Sequence, residues 1–346
     1  LTRDPSTPDS HTVAHYLWAG LDFILPADGP PVLLEANKSS HMLGEYLRFH
    51  DDERPFERIA ARMNGADGPP VILWRRCDPR PDADEDIAFI TRHLSTYLDE
   101  TPRIADVEDN SLEEVADDAD AARETIVCRD GSRVRPGSLF RWWYGCPWRF
   151  ERGGVLVVNP NALWVACRDK LECAAHLVGA ERVRTPWCAA VDSTEEVELL
   201  LESEGPRFKH GYVVKPRAGW GGYGVQVAAP GEAPKRIGPG YLLSERILPR
   251  PRPGSSAVPG ARNRDEYWDI RAFVMDGEFV GGLVHTSHEP NTNYWQGGRV
   301  EALDPGIARL IAPAAEEAVH LLDRAADRIH QGPAPVGHPS TVVNYA

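Results

Sequence analysis

Short apolar runs alternate along the chain with stretches whose apolar residues recur every three or four positions, the pattern of an α/β protein. Residues 21–25 and 32–36 flank Asp28-Gly29 and predict a hairpin. A helix is expected over 45–63 and a strand at 71–74. A second helix over 84–99 puts Ile87, Ile90, Leu94, Tyr97 and Leu98 on one face, with Asp84, Glu85 and Asp86 in its first turn. Strands follow at 124–128, 138–144 and 155–158. A helix opening at Asp169-Lys170 would turn Leu171, Ala174, Leu177 and Val178 inward, and Ser193 with Glu196 reads as the capping box of a helix over 194–204. Strands at 211–215, 224–228 and 241–246 form a further β unit. Strands at 269–275 and 279–284 flank the turn signal Asp276-Gly277. The last helix, 306–329, carries Ile307, Leu310, Ile311, Ala318, Leu322, Ala325 and Ile329 at helical spacing. The acidic stretch 99–120 reads as a solvated loop with a short helix, and the proline- and arginine-rich stretch 249–264 as an irregular insertion.

The 346 residues correspond to about two domains at roughly 150 residues each. A formal net charge of -14 argues against a protein that grips duplex DNA by its phosphates, while leaving room for a local cationic pocket. No apolar run reaches the length of a membrane helix, and the first residues lack the regions of a secretory signal. Cys77, Cys128, Cys146, Cys167, Cys173 and Cys188 form no CxxC pair and no zinc spacing. They read as packing thiols, and a cytoplasmic location is expected.

The most informative stretch runs from Tyr212 to Val225. Two valines lead into Lys215, then Gly219, Gly221, Gly222 and Gly224 fall within six positions before a second strand. Glycines let backbone N–H groups approach an anion, and the lysine adds a point charge. The lysine precedes the glycines and no helix follows, so this is neither a P-loop nor a dinucleotide fingerprint. A plain hairpin turn with a surface lysine is the alternative.

With its neighbours, the loop resembles the ATP-grasp carboxylate–amine ligases, including the D-alanine–D-alanine ligase and glutamate-ligase branches. The resemblance runs in order through Asn159-Pro160, Asp169-Lys170, Thr185-Pro186, the Lys215 loop and the strand at 241–248. It continues through Asp269-Ile270-Arg271, the hairpin at 275–282, Asn291-Thr292-Asn293 and Gln296-Gly297-Gly298, about 150 residues in all. The family ends on an acid followed by an ExN pair, and nothing after Asn293 supplies these. A similar segment lies near the N-terminus instead: Asp22, then Glu35-Ala36-Asn37 across the predicted hairpin. Alternation puts Glu35 and Asn37 on one strand face, and pairing can bring Asp22 beside them.

The resemblance therefore implies an α/β ATP-grasp fold with a preceding Rossmann-like domain, circularly permuted. Residues 1–64 and 249–346 would build the large ATP-grasp domain, 65–165 the preceding α/β domain and 166–248 the smaller lid domain. A hairpin that completes a neighbouring subunit's site in a homodimer is the alternative. The same resemblance implies ATP and magnesium, two ions being expected. Asp22, Glu35 and Asn37 would be the hard oxygen ligands that magnesium prefers. Lys170 and Lys215 would reach the phosphates, Gly219, Gly221 and Gly222 would cover them, and Glu245 would lie by the adenine or ribose. Tyr241, Leu243 and Leu248 would wall the base. Arg271 would clamp two oxygens in parallel, while Asn293, Gly297, Gly298 and His285 would meet substrate, with Asn291 and Gln296 weaker candidates there. His285 and His288 could accept the amine proton. The implied activity is ATP-dependent amide or peptide bond formation through an acyl phosphate, from a small carboxylate and amine such as an amino acid or peptide. The alternatives are a kinase-like phosphotransferase or a non-catalytic nucleotide-binding protein. Trp142, Trp143, Tyr144 and Trp148 beside Arg141 and Arg149 suit either an aromatic or carboxylate substrate or an ordinary core.

Overall fold

The computed structural model describes residues 17–37, 42–74, 83–106, 125–141, 150–151, 153–219, 221–252, 267–290, 292 and 297–331. From the N-terminus, β1 (Trp18–Ile24) and β2 (Val32–Asn37) form a hairpin, followed by α1 (Leu43–His50) and α2 (Arg54–Asn64). Next come β3 (Pro70–Trp74), α3 (Ala83–Tyr97), β4 (Arg103–Asp106) and a ribbon of β5 (Ile126–Val127) and β6 (Arg133–Val134). β7 (Ser138–Arg141) and β8 (Leu156–Val158) precede α4 (Asn161–Arg168) and α5 (Lys170–His176). The chain continues through β9 (Cys188–Val191), α6 (Thr194–Ser203), β10 (Tyr212–Pro216), β11 (Gln226–Ala228) and β12 (Tyr241–Glu245). It closes with β13 (Tyr267–Met275), β14 (Glu278–Ser287), β15 (Arg299–Ala302) and α7 (Pro305–Gln331).

The largest sheet is antiparallel, in the order β15-β14-β13-β1-β2, so strands from the two ends of the described chain share it. β1 lies between its hairpin partner and β13, with Asp22 opposite Glu35 on one side and Arg271 on the other. A bulge between Asp22 and Phe23 inserts Leu34 and keeps Glu35 and Asn37 on the face of Asp22. Ala19, Leu21 and Phe23 of β1, with Ile270, Ala272 and Val274 of β13, pack on α4, α5 and α7. On the other face, Trp18, Phe273, Met275 and Leu283 pack on α1 and α2. A second sheet, β4-β3-β7-β8, is all parallel, and a third, β11-β10-β12-β9, is antiparallel and backed by α6. The architecture is mixed α/β.

The expected helix over 45–63 is two helices. The Pro55 ring cannot follow an uninterrupted helical turn, so the chain breaks after α1 at Asp51, whose φ of 48° makes a left-handed cap with its N–H on Leu47 O. α4 was not foreseen: Pro160 caps it and accepts Trp164 N at 3.2 Å. Val178 is not inward but 82% exposed, because α5 ends at His176 and the chain turns before the next helical position is reached. The Ser193 cap forms, its Oγ accepting Glu196 N at 3.3 Å, but the Glu196 carboxylate returns to Asp192 N and not to the cap residue. Buried Asn159 accepts from Leu17 N and Trp18 N and donates to Trp18 O at 2.7 Å, tying β1 to the parallel sheet's last strand. Cys128, Cys167, Cys173 and Cys188 are free thiols, while Cys77 and Cys146 lie outside the described residues. Among the described residues no helix is long and apolar enough to cross a membrane.

Candidate active site

One face of the five-stranded sheet changes character along its length. Two residues beyond Phe273 on β13 comes Arg271, and two further Asp269; four beyond Trp18 on β1 comes Asp22. Arg271 grips Asp22 with both ends of its fork, Nε to Oδ1 at 2.8 Å and Nη2 to Oδ2 at 3.1 Å, and reaches Glu45 of α1 with Nη1 at 3.4 Å. Burial alone would lower the guanidinium's pKa, but Asp22, Glu45 and Asp269 outweigh it and the net shift is upward. Asn37 Nδ2 donates to Asp22 Oδ2 at 3.3 Å.

The antiparallel sheet of β9–β12 stands across a cleft of about 420 Å³ lined by Leu34, Glu35, Lys170, Thr185, Cys188, Lys215, Leu242 and Ser244. Lys215 is the next-to-last residue of β10, where alternation sends it to the cleft opposite Leu242 while Val214 enters the sheet's own core. Its Nζ donates to Leu34 O at 3.4 Å, so the lysine bridges the two sheets. Burial and the neighbouring Lys170 charge pull its pKa down to about 8, against the upward pull of Glu35, Cys188 and Asp22. Lys170 donates to Gly219 O at 2.9 Å and meets Glu35 at 3.4 Å. It is held there by the residue before it: Asp169 accepts Leu171 N at 2.9 Å and pairs with Arg217 at 2.6 Å, and Lys170 N donates to Arg217 O. Gly221, Gly222 and Gly224 all have positive φ. At Gly224 a Cβ would stand 3.0 Å from Tyr241 Oη, so both backbone sign and space call for glycine.

Glu35, Lys170 and Lys215 thus line one cleft. Asp22, Asn37 and Arg271 join Glu35 through strand pairing and hydrogen bonds on the large sheet, and Gly219 holds Lys170. Glu245 has a different neighbourhood: its carboxylate accepts from Arg184 at 3.1 Å and from Trp187 N at 3.0 Å, fastening β12 to the Thr185-Pro186 connection. The expected base walls are corrected by one position. Leu243 faces the core of the β9–β12 sheet and Tyr241 packs against it, whereas Leu242 and Ser244 face the cleft; a one-residue change of parity exchanges faces. Leu248 is 41% exposed. His285 is buried opposite Asp269, Nδ1 to Oδ1 at 2.9 Å, and Thr292 donates to the other oxygen of Asp269. His288 is exposed, Gly297 is an exposed left-handed turn residue, and Gly298 is buried just before β15. Asn291, Asn293, Gln296, Trp142, Trp143, Tyr144, Trp148, Arg149 and most of the 249–264 insertion lie outside the described residues.

The donor set fits a magnesium–nucleotide ligand. Two carboxylates and an amide sit on adjacent strands of one face, and two lysines reach the same edge, Lys170 to Glu35 and Lys215 to Leu34 O. Among the described residues no group of three or more His, Cys, Asp or Glu gathers as metal ligands, so the amide is needed to complete this set.

No family model matches the chain. It is 28% identical over 161 residues, 45% of its length, to the coenzyme gamma-F420-2:alpha-L-glutamate ligase of Methanocaldococcus jannaschii, and covers 52% of that protein. It is 23% identical over 177 residues, 51% of its length, to the ligase of the same name from Methanococcus maripaludis, and covers 58% of it. The chain therefore spans little more than half the length of these curated relatives. A crystal structure described as a gamma-glutamylcysteine synthetase from Methylobacillus flagellatus KT superimposes with a TM-score of 0.50 at 12% identity. That superposition covers 92% of this chain and 90% of the other, and it is a likeness of fold. Both sequence relatives are ligases by name.

Proposed function

We propose that the protein is an ATP-dependent carboxylate–amine ligase of the ATP-grasp type, its motif order circularly permuted so that the N-terminal hairpin supplies the metal site. In this reading residues 1–64 and 249–346 form the large ATP-grasp domain, 166–248 the lid and 65–165 the preceding α/β domain. The observation that carries it is the meeting of Lys170 and Lys215 with Glu35 in one cleft, with Asp22, Asn37 and Arg271 on the strand face that Glu35 shares. The placement of β1 between β2 and β13 supports the permutation. The names of the sequence relatives support amide formation, with L-glutamate the first amine to test.

Phosphoryl transfer to a carboxylate gathers charge on oxygens, so fixed cations are the main catalytic requirement. Lys170 and Lys215 would hold the phosphates, and the glycine loop would cover them with backbone N–H groups. Asp22, Glu35 and Asn37 would hold magnesium, which when bound offsets phosphate charge. Arg271 would orient the acyl phosphate, its guanidinium held in place by Asp22 and Glu45. The amine then displaces inorganic phosphate.

The test is a phosphate-release screen with ATP and magnesium over small carboxylates and amines, followed by mass spectrometry of the product. A ligase needs both substrates together and yields an amide; a stable phosphorylated product from one substrate alone would establish the kinase-like alternative. Lys215→Ala should lose about 2–4 kcal/mol of transition-state stabilisation, and near-full activity in that variant would remove the assigned role.

A further inference from the structure

On the charged face of the large sheet, one group has no role in holding nucleotide or metal. His285 is 3% exposed and lies directly across from Asp269, which shares the face of Arg271 two residues away. Asp269 is close enough to Arg271 to raise its pKa, so the histidine belongs to the charged end of the sheet and not to the apolar end under α1. Both carboxylate oxygens of Asp269 are engaged, one by His285 Nδ1 at 2.9 Å and the other by the Thr292 hydroxyl. The remaining ring nitrogen, Nε2, is buried and has no hydrogen-bond partner among the described residues. A buried polar atom left unpaired is costly, and its retention on the charged face of the sheet points to a ligand group that completes it.

We infer that His285 is the base that takes the proton from the attacking amine, with Asp269 and Thr292 as its positioning residues; this rests on the ligase reading above. An ionised Asp269 can only accept, so Nδ1 carries the proton and Nε2 presents a lone pair. Thr292 holds the second oxygen and fixes the plane of the carboxylate, and thereby of the ring. As the amine lone pair forms the N–C bond to the acyl carbon, the nitrogen loses its proton to Nε2. The tetrahedral centre then collapses, the bond from carbon to the phosphate oxygen breaks, and inorganic phosphate leaves with that electron pair. Asp269 stabilises the imidazolium until its proton passes to solvent as product departs.

Two measurements test this. In protein labelled with 15N-histidine, long-range NMR correlations should show the ring that disappears in His285→Gln as the Nδ1–H tautomer, with Nε2 unprotonated. An Nε2–H tautomer would overturn the inference without reference to turnover. In the second, ATP, magnesium and the carboxylate selected by phosphate release are given L-glutamate or hydroxylamine as the amine. Hydroxylamine is weakly basic and loses its proton readily, so the ratio of amide to hydroxamate should fall about 100-fold in His285→Gln. Imidazole added to His285→Ala should restore part of the amide rate. An unchanged ratio removes the inference and leaves the ligase reading standing. A wild type that forms neither product removes both.

Discussion

The two ends of one sheet face use the same strands and the same side-chain parity, yet they do opposite things. At one end Trp18 stacks on Phe273 with ring centroids 5.3 Å apart, Tyr46 of α1 meets both edge to face, and Met275 and Leu283 complete an apolar layer. At the other, Asp22, Glu35, Asn37, Asp269, Arg271 and His285 replace that layer with charge. What changes is the cover. Helices α1 and α2 seal the first end, while at the second Glu35 opens onto a cleft where it meets Lys170 and Lys215. Charge is tolerable under partial cover because each acid finds a cation, at the desolvation cost that any such pair carries.

The largest effect expected is at the apolar end. Phe273→Ala removes a fully buried ring and should lower unfolding free energy in urea by about 4 kcal/mol; a loss under 1 kcal/mol would mean that the layer is not sealed. Next comes the charged end. Asp22→Ala leaves Arg271 with Glu45 as its remaining direct partner and should cost about 3 kcal/mol, most of it recovered in the Asp22→Ala, Arg271→Met double variant. Failure of the double variant to recover would place the cost in the strand and not in the stranded charge.

A smaller effect follows from Lys215. Its folded-state pKa of about 8 lies below the 10.5 of an unperturbed lysine. Below pH 8 both folded and unfolded chains carry the proton, and the folded state bears the full cost of the buried charge. Between about pH 8 and 10.5 the unfolded chain holds a proton that the folded chain has lost, so stability rises with pH. Partial exposure of the residue reduces the gain to about 1–2 kcal/mol, read as a rise in urea midpoint that Lys215→Met lacks. The smallest effect is at the surface: Arg58 pairs with Glu278 at 3.2 Å, both well exposed, and Arg58→Ala should cost under about 0.5 kcal/mol. A loss comparable to that of Asp22→Ala would erase the distinction drawn here between covered and open pairs.

Much of this arrangement was legible in the residues. Alternation put Glu35 and Asn37 on one strand face, hairpin pairing could bring Asp22 beside them, and the glycines after Lys215 marked a turn needing positive φ. The break between α1 and α2 had a signal in Pro55 that the helical spacing over 45–63 obscured. The parity of β12 was misread because Tyr241, Leu243 and Leu242 are all apolar enough for either side; only pairing with β10, Lys215 opposite Leu242, decides it. Nothing local announced that Glu245 would be held by Arg184 and Trp187, or that Asn159 would clasp Trp18 from 141 residues away.

Periodicity and turn chemistry are local, and they sufficed to specify the elements, their apolar faces and which side chains share a strand face. Which elements meet is a matter of burial and pairing between segments far apart in the chain. The folded structure alone set β1 against β13, gave Arg271 its acids, lowered the pKa of Lys215 and left His285 Nε2 without a partner among the described residues. Desolvation and partner distance, the two quantities that tune Lys215 and Arg271, exist only once the chain has closed around them.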